Sequence, residues 1–257
     1  MEEKKTAYDL LADSVKIVLV GTTHPGNIGA SARAIKTMGL KRLLLVSPKD
    51  FPNDVALYRA KAAKDVLEQA EMHPDLFSAT KDCELIIGTS ARNRKVPWPL
   101  VTPRQAGQEI VQALQQGVNK VAVVFGREDR GLTNEELGMC NLHVHIPTNE
   151  EYSSLNLSQA VQILSYETRL AMLENYDLIE KPEWDVELAD NEQTERLITH
   201  LDELMQEVDF YDTQNPRKLL TRVRRFFKRA RIDKMEANIF RGLFSAVQIH
   251  LRTYATL

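Results

Sequence analysis

The chain has 257 residues, of which 43% are hydrophobic and 27% charged, and a formal net charge of −3. This composition suits one large or two modest folded domains and excludes collagenous or low-complexity character. No apolar run approaches the roughly 18 to 20 residues of a membrane span, and two cysteines, Cys83 and Cys140, cannot build a disulfide framework, so the sequence predicts a cytoplasmic protein that does not cross a bilayer.

Taken in chain order, apolar runs at Val15–Val20, Arg42–Val46, Leu85–Gly88, Lys120–Phe125 and Leu142–Ile146 predict strands. Several are nearly continuous in Val, Ile and Leu, the pattern of buried parallel strands rather than of a sheet with one wet face. Helices are predicted between them, among them Ala30–Met38, stopped by Gly39, and Thr133–Met139, whose Thr133 and Glu136 form a capping box. A longer helix beginning near Asn156 aligns Leu157, Ala160, Val161 and Leu164 on one face. The alternation predicts an α/β domain with a parallel sheet over residues 1–175. Glu180–Asp190 combines Pro182 with five acidic residues and no helical periodicity, which places an acidic linker at 176–190. A small all-helical domain is predicted over 191–257. Its first helix carries Leu197, Leu201, Leu204 and Val208; its second opens at Asn215 and Pro216 with Leu219, Val223 and Phe226 inside; its third is capped by Asp233 and Glu236 and turns Ile239, Leu243, Val247 and Leu251 inward.

Charge divides the chain in the same way. Residues 1–166 hold 19 basic and 19 acidic side chains, residues 167–215 hold 3 and 15, and residues 216–257 hold 11 and 2. The last segment is basic enough to attract phosphate, and Arg222, Arg224, Arg225 and Arg229 lie along its central helix. Arg92, Arg94, Lys95 and Arg104 flank Trp98 in a proline-rich loop, a combination suited to phosphate contacts and to stacking on an unpaired base.

The glycine-rich segment Gly21–Gly29 follows the first strand and opens a helix, which invites a phosphate-binding reading. Asn27 and Ile28 stand where a P-loop needs Lys and Ser or Thr, and only Gly26 and Gly29 remain of a dinucleotide fingerprint. Nicotinamide and NTPase chemistry are therefore disfavoured, and no nucleophile elbow supports a hydrolase. Cys140, His143 and His145 have strand spacing but no second ligand cluster follows, so no metal is predicted.

Three segments together carry more than any one alone: His24–Arg33 (HPGNIGASAR), Val123–Glu136 (VVFGREDRGLTNEE), and Ile146–Pro147 with Ser153–Val161 (SSLNLSQAV). With Gly88–Arg92 (GTSAR) as a fourth stretch, the chain resembles the SPOUT superfamily of RNA methyltransferases in its 2'-O-ribose branch, over roughly Val15 to Leu173. The loop Arg92–Pro99 and the helical C-terminal extension make it most similar to the members that methylate the 2'-hydroxyl of nucleotide 32, cytidine or uridine, in the tRNA anticodon loop.

The resemblance implies a deep trefoil knot in the parallel-sheet domain, a homodimer whose active sites draw on both subunits, tRNA as partner, and S-adenosylmethionine as methyl donor. It places Thr89, Ser90, Ala91, Gly126, Ile146, Ser153, Ser154 and Leu155 around that donor. It assigns the central catalytic role to Arg33, supported by Asn27, Glu128, Ser154 and Asn156. Because a guanidinium stays protonated in proteins, Arg33 reads as a clamp on an RNA phosphate and a stabiliser of the developing oxyanion rather than as a base. Glu128 admits a second reading as a plain acceptor for loop N–H groups. The same resemblance admits ribosomal RNA as substrate, and an RNA-binding module without catalysis is a rival that the presence of Asn27, Arg33, Ser154 and Asn156 disfavours.

Overall fold

The five predicted apolar runs do form strands, and every strand pairing in the structure is parallel. The computed structural model describes residues 7–90, 100–149, 151, 154–175, 186–214 and 218–254. In chain order its elements are α1 (Ala7–Ser14), β1 (Val15–Val20), α2 (Pro25–Thr37), β2 (Arg42–Val46), α3 (Asp54–Ala60), a 3₁₀ turn (Lys61–Ala63), α4 (Lys64–Glu68), β3 (Glu71–His73), α5 (Leu76–Thr80), β4 (Leu85–Thr89), β5 (Leu100–Val101), α6 (Pro103–Gln115), β6 (Val121–Phe125), α7 (Asn134–Gly138), β7 (Leu142–Val144), α8 (Leu157–Asn175), α9 (Asn191–Glu207), α10 (Leu219–Ala230) and α11 (Lys234–Tyr254). The sheet order is β3-β2-β1-β6-β4-β7-β5.

Successive side chains of a strand point to opposite faces, and both faces of this sheet are covered. Ile17, Leu19, Leu43, Leu45, Ile87, Val123 and Phe125 pack under α2, α6 and α8, through Ile28, Ile35, Ile110, Val161 and Leu164. Their neighbours Val18, Val20, Leu44, Val46, Ile86, Ala122 and Val124 pack under α5 and α7, through Leu76, Ala79 and Leu137. Continuous apolar runs are thus what a two-sided core requires. Close helix packing depends on glycine at two places: a Cβ at Gly29 would stand 2.1 Å from the Ala56 carbonyl oxygen, and one at Gly107 would stand 2.6 Å from that of Glu167.

Several boundaries differ from the sequence reading. Helix α2 begins at Pro25 rather than Ala30, because His24 accepts the Gly26 N–H and Pro25 supplies the first helical φ. β3 and β5 are not among the predicted strands, since Glu71–His73 is half exposed and lies in no apolar run and Leu100–Val101 has only two residues. The cap predicted at Asn215 and Pro216 lies outside the described residues. In α11 the register is turned: Ile239 and Leu243 are exposed, while Ala237, Phe240 and Phe244 face the bundle. In α10, Phe226 is half-exposed and Phe227 is buried. Aromatic packing decides both, since Phe227 meets Phe240 edge-on at 5.8 Å and the large rings bury more area than the aliphatic side chains they displace.

The C-terminal helices have a core of their own, centred on Leu197, Ile198, Phe227 and Phe244. Residues 186–190 of the predicted linker are tied to the α10–α11 junction, with Ala189 N–H donating to Ile232 (2.9 Å) and Lys234 N–H to Glu187 (3.0 Å). The unit docks at the N-terminal ends of the strands. Asn191 N–H donates to the Cys83 carbonyl (3.0 Å), and Asn141 takes the Ile86 N–H (2.7 Å) while donating to the Lys228 carbonyl (2.8 Å). The Lys228 ammonium is buried, paired with Glu195 at 3.2 Å and bonded to Asn191. Burial pulls Lys228 below the ordinary lysine range, and Glu195 opposes that shift. At the same end, Asp82 bridges buried Lys16 (2.7 Å) and Lys120 (2.9 Å). Partial burial works to raise its pKa, but the two lysines hold it down at about 2, so it is ionised at neutral pH. Cys83 and Cys140 are pushed up to about 12 by burial and carry no thiolate.

A buried charge without its partner is costly, whereas an apolar side chain of similar volume is not. Glu195→Ala should therefore lose about 3 kcal/mol of stability in urea unfolding, and Lys228→Met distinctly less, because Arg224 still neutralises Glu195 at 3.1 Å. Equal losses in the two variants would refute this account of the contact.

Candidate active site at the strand ends

In an open parallel sheet the carboxyl ends of the strands are where irregular loops converge and ligands bind. Here three such loops are joined by one carboxylate. Glu128, in the turn after β6, accepts from Thr23 N–H (3.1 Å) and Thr23 Oγ1 (3.1 Å), from His24 N–H (3.4 Å) and from Asn27 Nδ2 (2.9 Å). The Asn27 carbonyl oxygen in turn accepts from Asn156 Nδ2 at 3.0 Å. Asn156 Oδ1 then takes the Ser158 N–H (2.9 Å) and hydroxyl (2.7 Å) at the start of α8. Each amide is thereby oriented by its neighbour: a carboxylate only accepts, so Asn27 presents its donor to Glu128 and its acceptor to Asn156. Partial burial works to raise the Glu128 pKa, but the hydrogen bonds from Asn27, Thr23 and His24 outweigh it and leave the carboxyl below its ordinary value.

The turn that carries Glu128 is itself held tightly. Arg127 and Gly131 exchange backbone hydrogen bonds (3.3 and 2.8 Å), and Gly131 has φ 70°. A Cβ at Gly126 would stand 2.1 Å from the Gly131 carbonyl carbon, so this glycine serves the chain's own turn. The Arg127 guanidinium forms a two-pronged pair with Glu136 (2.9 and 3.0 Å) and lies under Gly21, where a Cβ would meet its Nε at 2.8 Å. Glu136 also closes the capping box of α7. Neither Arg127 nor Thr23 was singled out in the sequence, although Arg127 lies in the segment Val123–Glu136 and Thr23 in Gly21–Gly29.

Thr89, Ser90, Gly126 and Ile146 lie at or just beyond the ends of β4, β6 and β7, which are neighbours in the sheet. Thr89 Oγ1 donates to the Val124 carbonyl (3.1 Å), Ser90 N–H donates to Val144 (2.8 Å), and His145 Nδ1–H donates to the Ser90 carbonyl (3.2 Å). His143 is buried and donates Nε2–H to the Leu137 carbonyl at 2.9 Å. Ser154 is exposed and Leu155 partly buried, immediately before Asn156. Ala91, Arg92, Arg94, Trp98 and Ser153 lie outside the described residues. Among the described residues here, Thr89, Ser90 and Ile146 carry no charge, the Glu128 carboxylate is surrounded by its donors, and Arg127 is neutralised by Glu136. Such a crevice suits a nucleoside held by backbone groups.

Arg33 is not part of this cluster. It lies more than a turn beyond Asn27 on α2, exposed, with no hydrogen bond or ion pair from its guanidinium to a described residue. On the basic helix, Arg222 and Arg229 are exposed and Arg225 is half-buried, but Arg224 is committed to Glu195 on α9 (3.1 and 3.2 Å). Its charge supports the docking of the helix instead of facing outward, a placement that charge counting could not foresee.

The sequence profile of the SpoU rRNA methylase family matches residues 14–166, and that of the C-terminal domain of the tRNA methyltransferase TrmJ matches residues 192–256. The tRNA (cytidine/uridine/adenosine-2'-O-)-methyltransferase TrmJ of Pseudomonas aeruginosa is 43% identical over 245 residues, covering 93% of this chain and 95% of that protein. The tRNA (cytidine/uridine-2'-O-)-methyltransferase TrmJ of Photorhabdus laumondii is 44% identical over 238 residues, covering 93% and 98%. Among solved structures, TrmJ from Z. mobilis superposes with a TM-score of 0.78 at 31% identity, covering 91% of this chain and 98% of that one.

A carboxyl whose folded pKa is depressed adds stability above its unfolded pKa and loses it as pH falls through the folded value. Glu128→Gln, which places an amide donor against Asn27 and Thr23, should lower the melting temperature at pH 7. The gap to the parent should close as pH drops below the ordinary carboxylate range. A gap that stays constant from pH 7 to pH 3 would show that the charge does not matter to the loops it joins.

Proposed function

The chain belongs to the SpoU methylase family, and from that premise we propose that it transfers a methyl group from S-adenosylmethionine to the ribose 2'-hydroxyl of nucleotide 32, cytidine or uridine, in the anticodon loop of tRNA. The observation that carries this reading is the identity of 43% across 93% of the chain to a tRNA 2'-O-methyltransferase that spans both the sheet unit and the C-terminal helices. Ribosomal RNA is disfavoured because the C-terminal match is to a tRNA methyltransferase's domain.

When bound, S-adenosylmethionine supplies a methyl group activated by its sulfonium. Thr89, Ser90, Gly126, Ile146 and Leu155, with Ala91 and Ser153, would hold it at the strand ends through backbone N–H and carbonyl groups; Ser154 borders the same place. Glu128, Asn27 and Asn156 are positioning residues. With four donors converging on it, the Glu128 carboxylate has little capacity left to act as a base, so it fixes the walls of the crevice. Arg33 clamps the phosphate beside the target ribose and stabilises the developing alkoxide, and that phosphate or a water takes the proton.

The exposure of Arg33 and its separation from the Asn27–Glu128–Asn156 cluster support a homodimer in which Arg33 of one subunit serves the crevice of the other. The docking of α10 at the opposite end of the strands supports the same assembly, since tRNA at one crevice would meet basic helices from two subunits. The division into a catalytic domain at 1–175, a linker at 176–190 and a helical domain at 191–257 belongs to this reading, as do the cytoplasmic location and the trefoil knot. β7, the last strand, lies between β4 and β5, which are consecutive in sequence. Among the described residues no helix is long and apolar enough to cross a membrane.

Arg33→Ala should lower methyl transfer by about 10²-fold or more while S-adenosylmethionine affinity changes little. Arg33→Lys should fail too, because a point charge does not replace a planar fork. Mixing Arg33→Ala subunits with subunits reversed to Glu at Arg222, Arg225 and Arg229 should restore part of the activity. A fully active monomer in sedimentation would exclude the shared site. Mapping 2'-O-methylated positions in tRNA from cells with and without the protein tests the substrate, and unchanged methylation at nucleotide 32 would reject it.

A further inference from the structure

Beside Arg33, the seam between α2 and α3 carries a second set of uncommitted side chains. Gly29 of α2 lies against the backbone of Ala56, and Lys36, two turns later, donates to the Ala62 carbonyl (2.9 Å) and to Asp65 (2.8 Å). Arg33 falls between these two contacts and is turned to solvent, on the outer flank of the seam. Arg59 takes the matching flank of α3, between Ala56 and Ala60, both of which are buried. Next to it Tyr58 is 69% exposed, and Lys61 Nζ stands 3.8 Å from the centre of its ring.

Between Asp54, at the start of α3, and Asp65 the charge is of one sign. Val55–Lys64 contains Arg59, Lys61 and Lys64 and no carboxylate. All three are exposed, and none makes an ion pair with a described residue. The nearby Asp65 is already held by Lys36. Lys61 also occupies a costly backbone position, with φ 54° and ψ −117°, a region that glycine enters freely and other residues rarely do. What occupies that position is a lysine whose ammonium returns over the Tyr58 ring. Lys61 covers one face of an exposed ring whose other neighbours, Arg59 and Lys64, make no ion pair with a described residue, an arrangement suited to single-stranded nucleic acid: stacking needs only one π-face, and the phosphates need only the charge.

We propose that Tyr58, Arg59, Lys61 and Lys64 form an RNA platform continuous with Arg33, on which an unpaired nucleotide beside the methylated ribose stacks against Tyr58 while the three cations hold the adjoining phosphates. The platform rests on the reading that this chain methylates tRNA through Arg33, and it adds four residues that the family motifs do not include. The Tyr58 hydroxyl has no part in it; the ring face does.

The test is steady-state methyl transfer from S-adenosylmethionine to unmodified tRNA by the full-length protein, with melting temperatures and tRNA binding measured at two salt concentrations. Tyr58→Ala should raise KM for tRNA about 5-fold or more, the size of one lost base stack, and leave kcat and the KM for S-adenosylmethionine near parental values. Tyr58→Phe should keep the parental KM. Lys61→Gly should raise the melting temperature, since glycine relieves the positive φ, and yet weaken tRNA binding and make its salt dependence shallower. A merely structural role predicts the reverse coupling, with binding following stability. Lys61→Gly keeps the test decisive if Tyr58→Ala fails to fold. Parental tRNA KM and salt dependence in folded Lys61→Gly, or a Tyr58→Phe as weak as Tyr58→Ala, would overturn the platform alone. A parent that transfers no methyl group to tRNA would overturn the functional reading and the platform with it.

Discussion

The loops at the carboxyl ends of the strands depend on one carboxylate being surrounded by donors. Glu128 joins the loop after β1 to the turn after β6, and through Asn27 and Asn156 it reaches the start of α8, segments separated by 101 and 129 residues in the chain. Loops at the ends of parallel strands have no ladder to fix them, so their positions must come from side chains. A charged acceptor is well suited to that task, because its hydrogen bonds are about twice as strong as neutral ones and it does not compete as a donor. Its depressed pKa measures the same fact from the side of the proton.

A second polar network works at the opposite end of the sheet. Lys228, Glu195, Asn191 and Asn141 are buried or nearly so, and they join α9 and α10 to the N-terminal ends of β4 and β7. Burying an ammonium gains little stability by itself. What it supplies is a defined seat: apolar packing would tolerate several positions of the helical unit, whereas a buried charge accepts the one that satisfies it. Glu195 draws in Arg224 as well, so part of the positive charge of α10 is spent on orienting the helix while Arg222 and Arg229 remain exposed.

The two networks divide the labour of the chain. The Glu128 cluster fixes the loops at the carboxyl ends of the strands, its carboxylate surrounded by four donors. The cations that would hold polyanionic RNA lie elsewhere: Arg33 on the outer flank of α2, the exposed arginines of α10 at the far end of the strands, and Arg59, Lys61 and Lys64 along α3 and the turn after it. Gly29 makes one of these placements possible, since only a residue without Cβ lets α2 and α3 approach closely enough for Arg33 and Arg59 to border a single seam.

How much of this was legible in the sequence depends on how local each cause is. Strand runs such as Val15–Val20, the capping box of Thr133 and Glu136, and the family to which the motifs point were legible because apolar periodicity, capping and motifs are written in neighbouring residues. Strands β3 and β5, the inward register of Phe240 and Phe244, and the commitment of Arg224 to Glu195 were not, because each is settled by a partner far away in the chain. Asn27 illustrates the boundary: the motif marked it as important, but only the folded chain, by setting Glu128 on one side of its amide and Asn156 on the other, decided that it links two loops. The sequence by itself determined which segments could be strands and helices and which residues carried charge. The tertiary structure decided which charges were neutralised and which were left to act, because that choice depends on distances of a few ångströms between residues a hundred positions apart.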